Sequence, residues 1–435
     1  MTDAVGPAAA EPEEPPRSAL RILATRDFGP YFAGNLTSSI GTWFQNLAAA
    51  VLVYRLTGST LLVGVVNFAQ FIGAFVLAPW AGSAADRYDR RRLLLVTQVV
   101  ALVVTGLLAA VTITGHVTAP IVIGAAFLLG FALAFMVPAL LSLVPLLVPR
   151  RDLEVAVSLN SVTFNLARGI GPVVGAVVID RYGIGPAFAI NAASFLALIA
   201  ALFVIRPREQ AIVVGPRPKL RESIALVRED EVLTALLVVV MAVSTTTDPV
   251  NTLTPEFATR ILGRADTVAG WLIGAFGGGA TLTAVLLTGW LRRRRNGLVG
   301  AMVAEGAGIV VFALAPNLLV ALLGMAIAGG GFIGAITRST TRLQNLVADE
   351  QLGRVMALWS LAFIGTRPLA ALVDGLVADV FGVRVAGVMM ALPVLLAAVW
   401  VHRLIVRRRA DPDAPAGDPG DAPATVTTPE AGAPS

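Results

Sequence analysis

Gly82-Ser83-Ala84-Ala85-Asp86-Arg87-Tyr88-Asp89-Arg90-Arg91-Arg92 is the stretch that decides how the rest of this chain is read. An uncharged run from about Leu61 to Ala81 precedes it, and a second, from Leu93 to Thr114, follows. Each has the roughly 20 apolar residues that an α-helix needs to cross a bilayer. The eleven residues between them form a short turn pinned at a membrane surface. Anchoring explains its four arginines but not Asp86.

Working outward, the same character holds along the chain. Of 435 residues, 56% are hydrophobic and 14% charged, against roughly a quarter charged in soluble domains. Mean hydropathy is +0.78. This is a polytopic all-α membrane protein with little room for a soluble domain. Cysteine is absent, which excludes disulfides and thiol chemistry, and the two histidines, His116 and His402, fall at segment ends. No metal-ligand cluster or cofactor motif is present. No G-x-x-x-x-G-K-[ST] loop occurs, and no acid pair stands at a fixed spacing, so neither an ATPase nor an enzyme is expected. Lys219 is the only lysine, and the arginines sit at segment ends, so the basic balance is no nucleic-acid surface. Residues 1–20 form an N-terminal tail that begins acidic and Pro/Ala-rich, without the basic start and apolar core of a signal peptide. Residues 410–435 form a second tail of mostly Pro, Ala, Gly, Asp and Thr. Neither composition can bury a core, and both tails are expected to be disordered.

Twelve spans are predicted, at about 31–54, 60–81, 93–114, 119–143, 156–179, 185–205, 232–255, 267–291, 297–315, 318–338, 354–378 and 384–406. With the N-terminus placed inside, the outer segments hold only Arg55, Arg181, Arg260, Arg264 and Arg384, and two arginines lie inside spans. The inner segments hold the other 26 of the 33 basic residues. The positive-inside rule then puts both termini in the cytoplasm of a cell membrane protein. Sliding the chain by 199 residues lays Leu153, Ser161, Phe164, Arg168, Asp180 and Gly183 on Leu352, Ser360, Phe363, Arg367, Asp379 and Gly382 without a gap. The chain therefore reads as a duplicated six-helix unit: a bundle over 21–205, a basic cytoplasmic linker over 206–230 and a second bundle over 231–409. Parallel repeats of this kind suit a transporter that rocks one half against the other.

With these residues in hand, the chain resembles the major facilitator superfamily from about Leu20 to Arg409. The Gly82 turn is similar to that superfamily's signature after the second span, with Asp89 where a second glycine is usual. Together with Leu52-Val53-Tyr54-Arg55-Leu56-Thr57-Gly58-Ser59, Asn191-Ala192-Ala193-Ser194-Phe195 and Leu352-Gly353-Arg354-Val355-Met356, it resembles the branch of enterobactin exporters and macrolide-efflux-type proteins. The resemblance implies twelve transmembrane helices in two pseudo-symmetric bundles, and usually a monomer. It implies a secondary active exporter of amphipathic small molecules such as a drug, a macrolide-like antibiotic or a siderophore, working by proton antiport. Uptake of a small nutrient by proton or sodium symport is the alternative. The partners expected are the substrate, the coupling ion and the bilayer.

The same resemblance suggests roles for particular residues. Gly82, Asp86, Arg87, Arg90, Arg91 and Arg354 would form a conformational latch, with Asp86 approaching the start of span 11. Gly171, Pro172 and Gly175 are similar to the superfamily's antiporter motif, although the residues alone imply only a bendable helix that packs closely. Asp248, Glu305 and Asp374 are candidate proton carriers, since a carboxyl within a span can bind and release a proton near neutral pH; Asp248, in the polar, Pro-broken stretch Ser244–Pro249, is the first choice, Glu305 could serve packing and Asp374 could pair with Arg367. Arg168 and Arg367 lie near mid-span, where an arginine must face protein or water. They could coordinate substrate, pair across the seam between halves, or cap carbonyls freed at Pro172 and Pro368.

Overall fold

A computed structural model describes residues 17–208, 227–228, 230–246, 249–287, 297–347 and 349–410. Residues 1–16 and 411–435 of the expected tails, most of the linker and Asp248 lie outside these residues, while residues 19–20 of the expected N-terminal tail are helical. Within them the chain is helical. After a short α1 (Ala19–Leu23), the first half comprises α2 (Phe28–Thr57), α3 (Thr60–Arg87), α4 (Arg90–Ile113), α5 (Ala119–Leu147), α6 (Leu153–Tyr182) and α7 (Ile184–Val204). The second comprises α8 (Glu231–Thr245), α9 (Pro249–Glu256), α10 (Val268–Leu282), α11 (Gly297–Leu314), α12 (Leu318–Leu346), α13 (Asp349–Gly365), α14 (Arg367–Phe381) and α15 (Val383–Ala410).

Eleven segments among the described residues are long and apolar enough to cross a membrane. The twelfth span is α2, 30 residues long but more polar, because it buries Asn35, Ser38 and Gln45 inside the bundle. Two expected spans are broken. The seventh stops at Thr245 and resumes as α9, ending in a π-helical turn over Phe257–Ile261. The eleventh breaks at Thr366, because Pro368 in the first turn of α14 lacks an N–H to continue the ladder.

Local sequence fixes the turns. Asp89 caps α4, its carboxylate accepting the Arg92 N–H at 2.7 Å, so the departure from glycine has a structural use. Gly183 and Gly382 stand 199 residues apart and both take a left-handed conformation, φ 88° and 91°. There a side chain would be strained, and the duplication thus extends to the hairpin between the last two spans of each half.

Within the first half, α2 packs on α6 and α7, α3 on α5, and α4 on α5 and α7. Within the second, α12 packs on α10 and α11, and α11 on α15. Two seams join the halves: α3 against α14, and α6 against α10. Both seams rely on small residues. A Cβ on Gly64 would stand 2.3 Å from the Ala371 carbonyl oxygen, and one on Gly277 2.5 Å from the Gly169 Cα. Close backbone approach of this kind is how membrane helices associate without a hydrophobic driving force between them.

Candidate functional site

Arg168 on α6 and Arg367 on α14 are both buried, at 6% and 8% exposure. Each guanidinium lies over aromatic rings. The Arg168 Cζ stands 5.5 Å from the centroid of Trp43, 4.8 Å from Phe276 and 4.7 Å from Phe332. That of Arg367 stands 4.2 Å from Phe71 and 5.5 Å from Phe363. The two cages connect. Phe276 meets Phe332 at 5.7 Å, Phe332 meets Phe363 at 6.5 Å, and Phe363 stacks on Trp359 at 5.0 Å. The rings come from α2, α3, α10, α12 and α13, so both halves contribute. An arginine at the bilayer centre costs about 2.5–3.5 kcal/mol on insertion scales. Each desolvated ring face returns up to about 2 kcal/mol, so these cages are of the right size to hold the charge. Sequence placed both arginines at mid-span. The rings that surround them are spread over the chain and were not legible as one cluster.

At the end where α2 finishes and α3 begins, the halves are tied by polar bonds. Arg55 grips Asp266 through two bonds, Nε to Oδ2 at 2.6 Å and Nη2 to Oδ1 at 2.7 Å. Asp379 accepts from the Ser59 hydroxyl at 2.6 Å and the Thr60 N–H at 2.8 Å, at the N-terminus of α3, where the helix dipole favours a carboxylate. Glu256, 2% exposed, accepts from the Thr60 hydroxyl and from Arg260. Asn67 donates to Thr252 at 2.9 Å. None of Glu256, Asp266 and Asp379 was singled out from sequence as a contact between halves. Only Asp379 carried a signal, its match to Asp180 across the repeat.

The opposite, basic end is built differently. Arg90 donates to the Ser142 carbonyl at 3.0 Å, and Arg91 to those of Leu202 and Phe203. Arg91 therefore serves the C-terminal end of α7, where carbonyls lack helical partners, and Arg90 holds α4 to the last turns of α5. These contacts are within their own half, whereas the expected latch would have engaged the other. Arg87 is exposed and Arg354 half-buried. The side chain of Asp86 and that of the neighbouring Ser83 lie outside the described residues, as does any Cβ-level environment of Gly82.

The remaining candidates separate. Gly171 and Gly175 let α6 lie against α2: a Cβ on Gly171 would come within 2.7 Å of the Trp43 Cβ, and one on Gly175 within 2.9 Å of the Phe44 Cβ. The Pro172 carbonyl faces Gly270 of α10 in the same manner. Glu305 on α11 is fully buried. One carboxyl oxygen accepts from the Thr246 hydroxyl, and the other has no hydrogen-bond partner among the described residues. Arg168 lies within electrostatic reach of it. Asp374 is buried on α14 at the α3 seam. In the first half, Gln45 accepts from Thr105 and Asn191, and Asn160 accepts from Tyr31 and Asn35, so those polar residues join helices.

The sequence model of a family described as transmembrane secretion effectors matches residues 17–429. The chain belongs to this family, within the major facilitator superfamily. It is similar to the staphyloferrin A transporter of Staphylococcus aureus, at 25% identity over 81% of this chain and 90% of that protein. It is also similar to the enterobactin exporter of Salmonella typhi, at 27% identity over 82% of this chain and 87% of that protein. In fold it matches a bacterial homologue of the human lysosomal transporter Spinster, with TM-score 0.69 and 13% identity, over 88% of this chain and 96% of that one. A secretion effector of this superfamily is a multi-pass membrane transporter of small molecules, not an enzyme. The resemblance read from the Gly82 turn and its companion motifs is thereby established at the level of the superfamily and branch.

Proposed function

We propose that this protein is a secondary active exporter that carries an amphipathic small molecule across the cell membrane in exchange for protons, by alternating access. Both termini are cytoplasmic, and the bundles over 21–205 and 231–409 move against each other. The observation that carries this reading is the pair of buried arginines in linked aromatic cages between the halves. Ring faces accept the apolar body of a substrate, and a guanidinium accepts a carboxylate or catecholate. That chemistry favours a siderophore-like acidic amphipath over a cationic drug.

Three further observations support it. Polar bonds tie the halves at the end away from the basic turn, which fits a cytoplasm-facing state closed on the outside. The names of similar proteins point to export. Glu305 is the leading proton carrier, because it is a fully buried carboxyl that meets the Thr246 hydroxyl where the seventh span breaks. Asp374 is second, and Asp248 shares the candidacy from sequence alone. Asp86 remains the proposed latch carboxylate, approaching Gly353 and Arg354.

The test is flux into inside-out vesicles under an imposed pH gradient, with a panel of catecholate and carboxylate siderophores, macrolides and dyes. Accumulation that collapses with a protonophore, and that falls at least tenfold in Arg168→Gln and Arg367→Gln, is expected. Flux in the opposite direction overturns export in favour of nutrient symport. Arginine variants with wild-type flux overturn the assigned chamber.

A further inference from the structure

The basic end of the first bundle holds a cavity of ≈ 540 Å³ that the transport reading does not use. Arg90, Arg91, Arg206 and Arg208 line it together with Asp89, Pro207, the partly exposed Leu146 and the buried Leu143. Asp89 is already engaged in capping α4, and its charge leaves the arginines well in excess.

Most of these arginines are held in place. Arg90 and Arg91 are fixed on the carbonyls at the ends of α5 and α7. Arg208 donates from Nη1 to the Val148 carbonyl at 3.2 Å and from its backbone N–H to that of Leu146 at 3.0 Å. The Arg206 N–H bonds Asp27 at 2.9 Å, which leaves its exposed side chain at the rim. A guanidinium has five N–H donors, and the carbonyl bonds of Arg91 and Arg208 use only some of theirs. Because the guanidiniums are positioned beforehand, an anion bound there gives up little side-chain entropy. The cavity sits where α4 begins and α5 and α7 end, the level at which a spanning bundle meets lipid headgroups, and the partly exposed Leu146 lies among its charged residues.

We propose that this cavity binds the phosphate of an anionic phospholipid, with the acyl chains leaving past the partly exposed Leu146. Basic pockets at this level of a bundle suit such headgroups. The occupant would also hold the first residues of the linker, Arg206 and Arg208, against the base of the first bundle. This inference stands independently of the transported substrate.

The experiment is native mass spectrometry of the full-length protein with equimolar phosphatidylglycerol and phosphatidylcholine of matched acyl chains. Preferential retention of phosphatidylglycerol is expected, falling about fivefold in Arg206→Gln and about 25-fold in Arg206→Gln/Arg208→Gln, as expected for roughly equal contributions from each charge. Arg206→Glu, at an exposed side chain, gives a second variant with its fold checked by thermal unfolding; it should lose the preference altogether. Equal retention of the two lipids, or an undiminished preference in folded Arg206→Glu, overturns the site. Free glycerol 1-phosphate that binds as tightly as the lipid overturns the lipid as its source and assigns a soluble phosphate instead.

Discussion

Asp266→Asn tests whether the polar cluster at the outer seam governs opening. The substitution keeps size and shape but removes the charge that Arg55 grips through two bonds of 2.6 and 2.7 Å. A fully exposed pair would be worth about 0–1 kcal/mol. Here the Arg55 side chain is 44% exposed but that of Asp266 only 10%, and the geometry is bidentate. A value of about 1–2 kcal/mol is therefore reasonable. The contact exists only while the seam is closed, so its loss raises the ratio of outward-open to closed molecules by roughly 5- to 30-fold. The remaining bonds from Ser59, Thr60 and Asn67 still resist opening, and their coupling to Arg55 makes the effect of a double variant non-additive. The chain has no cysteine, so Thr57→Cys and Arg264→Cys can be spin-labelled without a background. Electron–electron distance distributions across the seam should gain a long component in Asp266→Asn. A distribution identical to the parent's would refute the argument that this pair contributes to closure.

Three other expectations follow from the same geometry. Glu305→Gln keeps an acceptor for Thr246 but cannot exchange a proton. Gradient-driven transport in vesicles should be lost while thermal stability changes little, and pH-dependent flux that survives would remove Glu305 from coupling. Gly175→Ala places a methyl 2.9 Å from the Phe44 Cβ, and overpacking at that contact should lower stability by about 1–3 kcal/mol, read as a fall in melting temperature in detergent. Gln45→Leu leaves the Thr105 hydroxyl and Asn191 amide without their shared acceptor. A loss of about 1–3 kcal/mol is expected, with Gln45→Glu retaining the acceptor as a control.

The legibility of the candidate site differed residue by residue. Arg168 and Arg367 stood out because a charge inside an apolar run is conspicuous and because both sit at one offset of the repeat. Glu305 stood out for the first reason alone. Glu256 did not, because it follows the predicted end of the seventh span and reads as a loop residue until the broken helix turns it inward. Asp266 reads as a surface aspartate, and nothing in its neighbourhood announces Arg55, 211 positions away. Arg90 and Arg91 were legible as membrane anchors, but their carbonyl partners at Ser142, Leu202 and Phe203 depend on how α4 lies against α5 and α7.

The sequence by itself determined the membrane class, the number and order of spans, the duplication and the family, because apolar run length, charge placement and a fixed repeat offset are properties of one dimension. Only the tertiary structure decided what the charges touch. It showed that the glycines of α6 serve close packing, that aromatic rings from five helices enclose the two buried arginines, and that, among the described residues, the hydrogen bonds between halves gather at one end. The physical reason is that hydrogen bonds and ring contacts act over a few ångströms between residues far apart in the chain. Such pairings are set by helix packing and leave no periodic trace in the sequence.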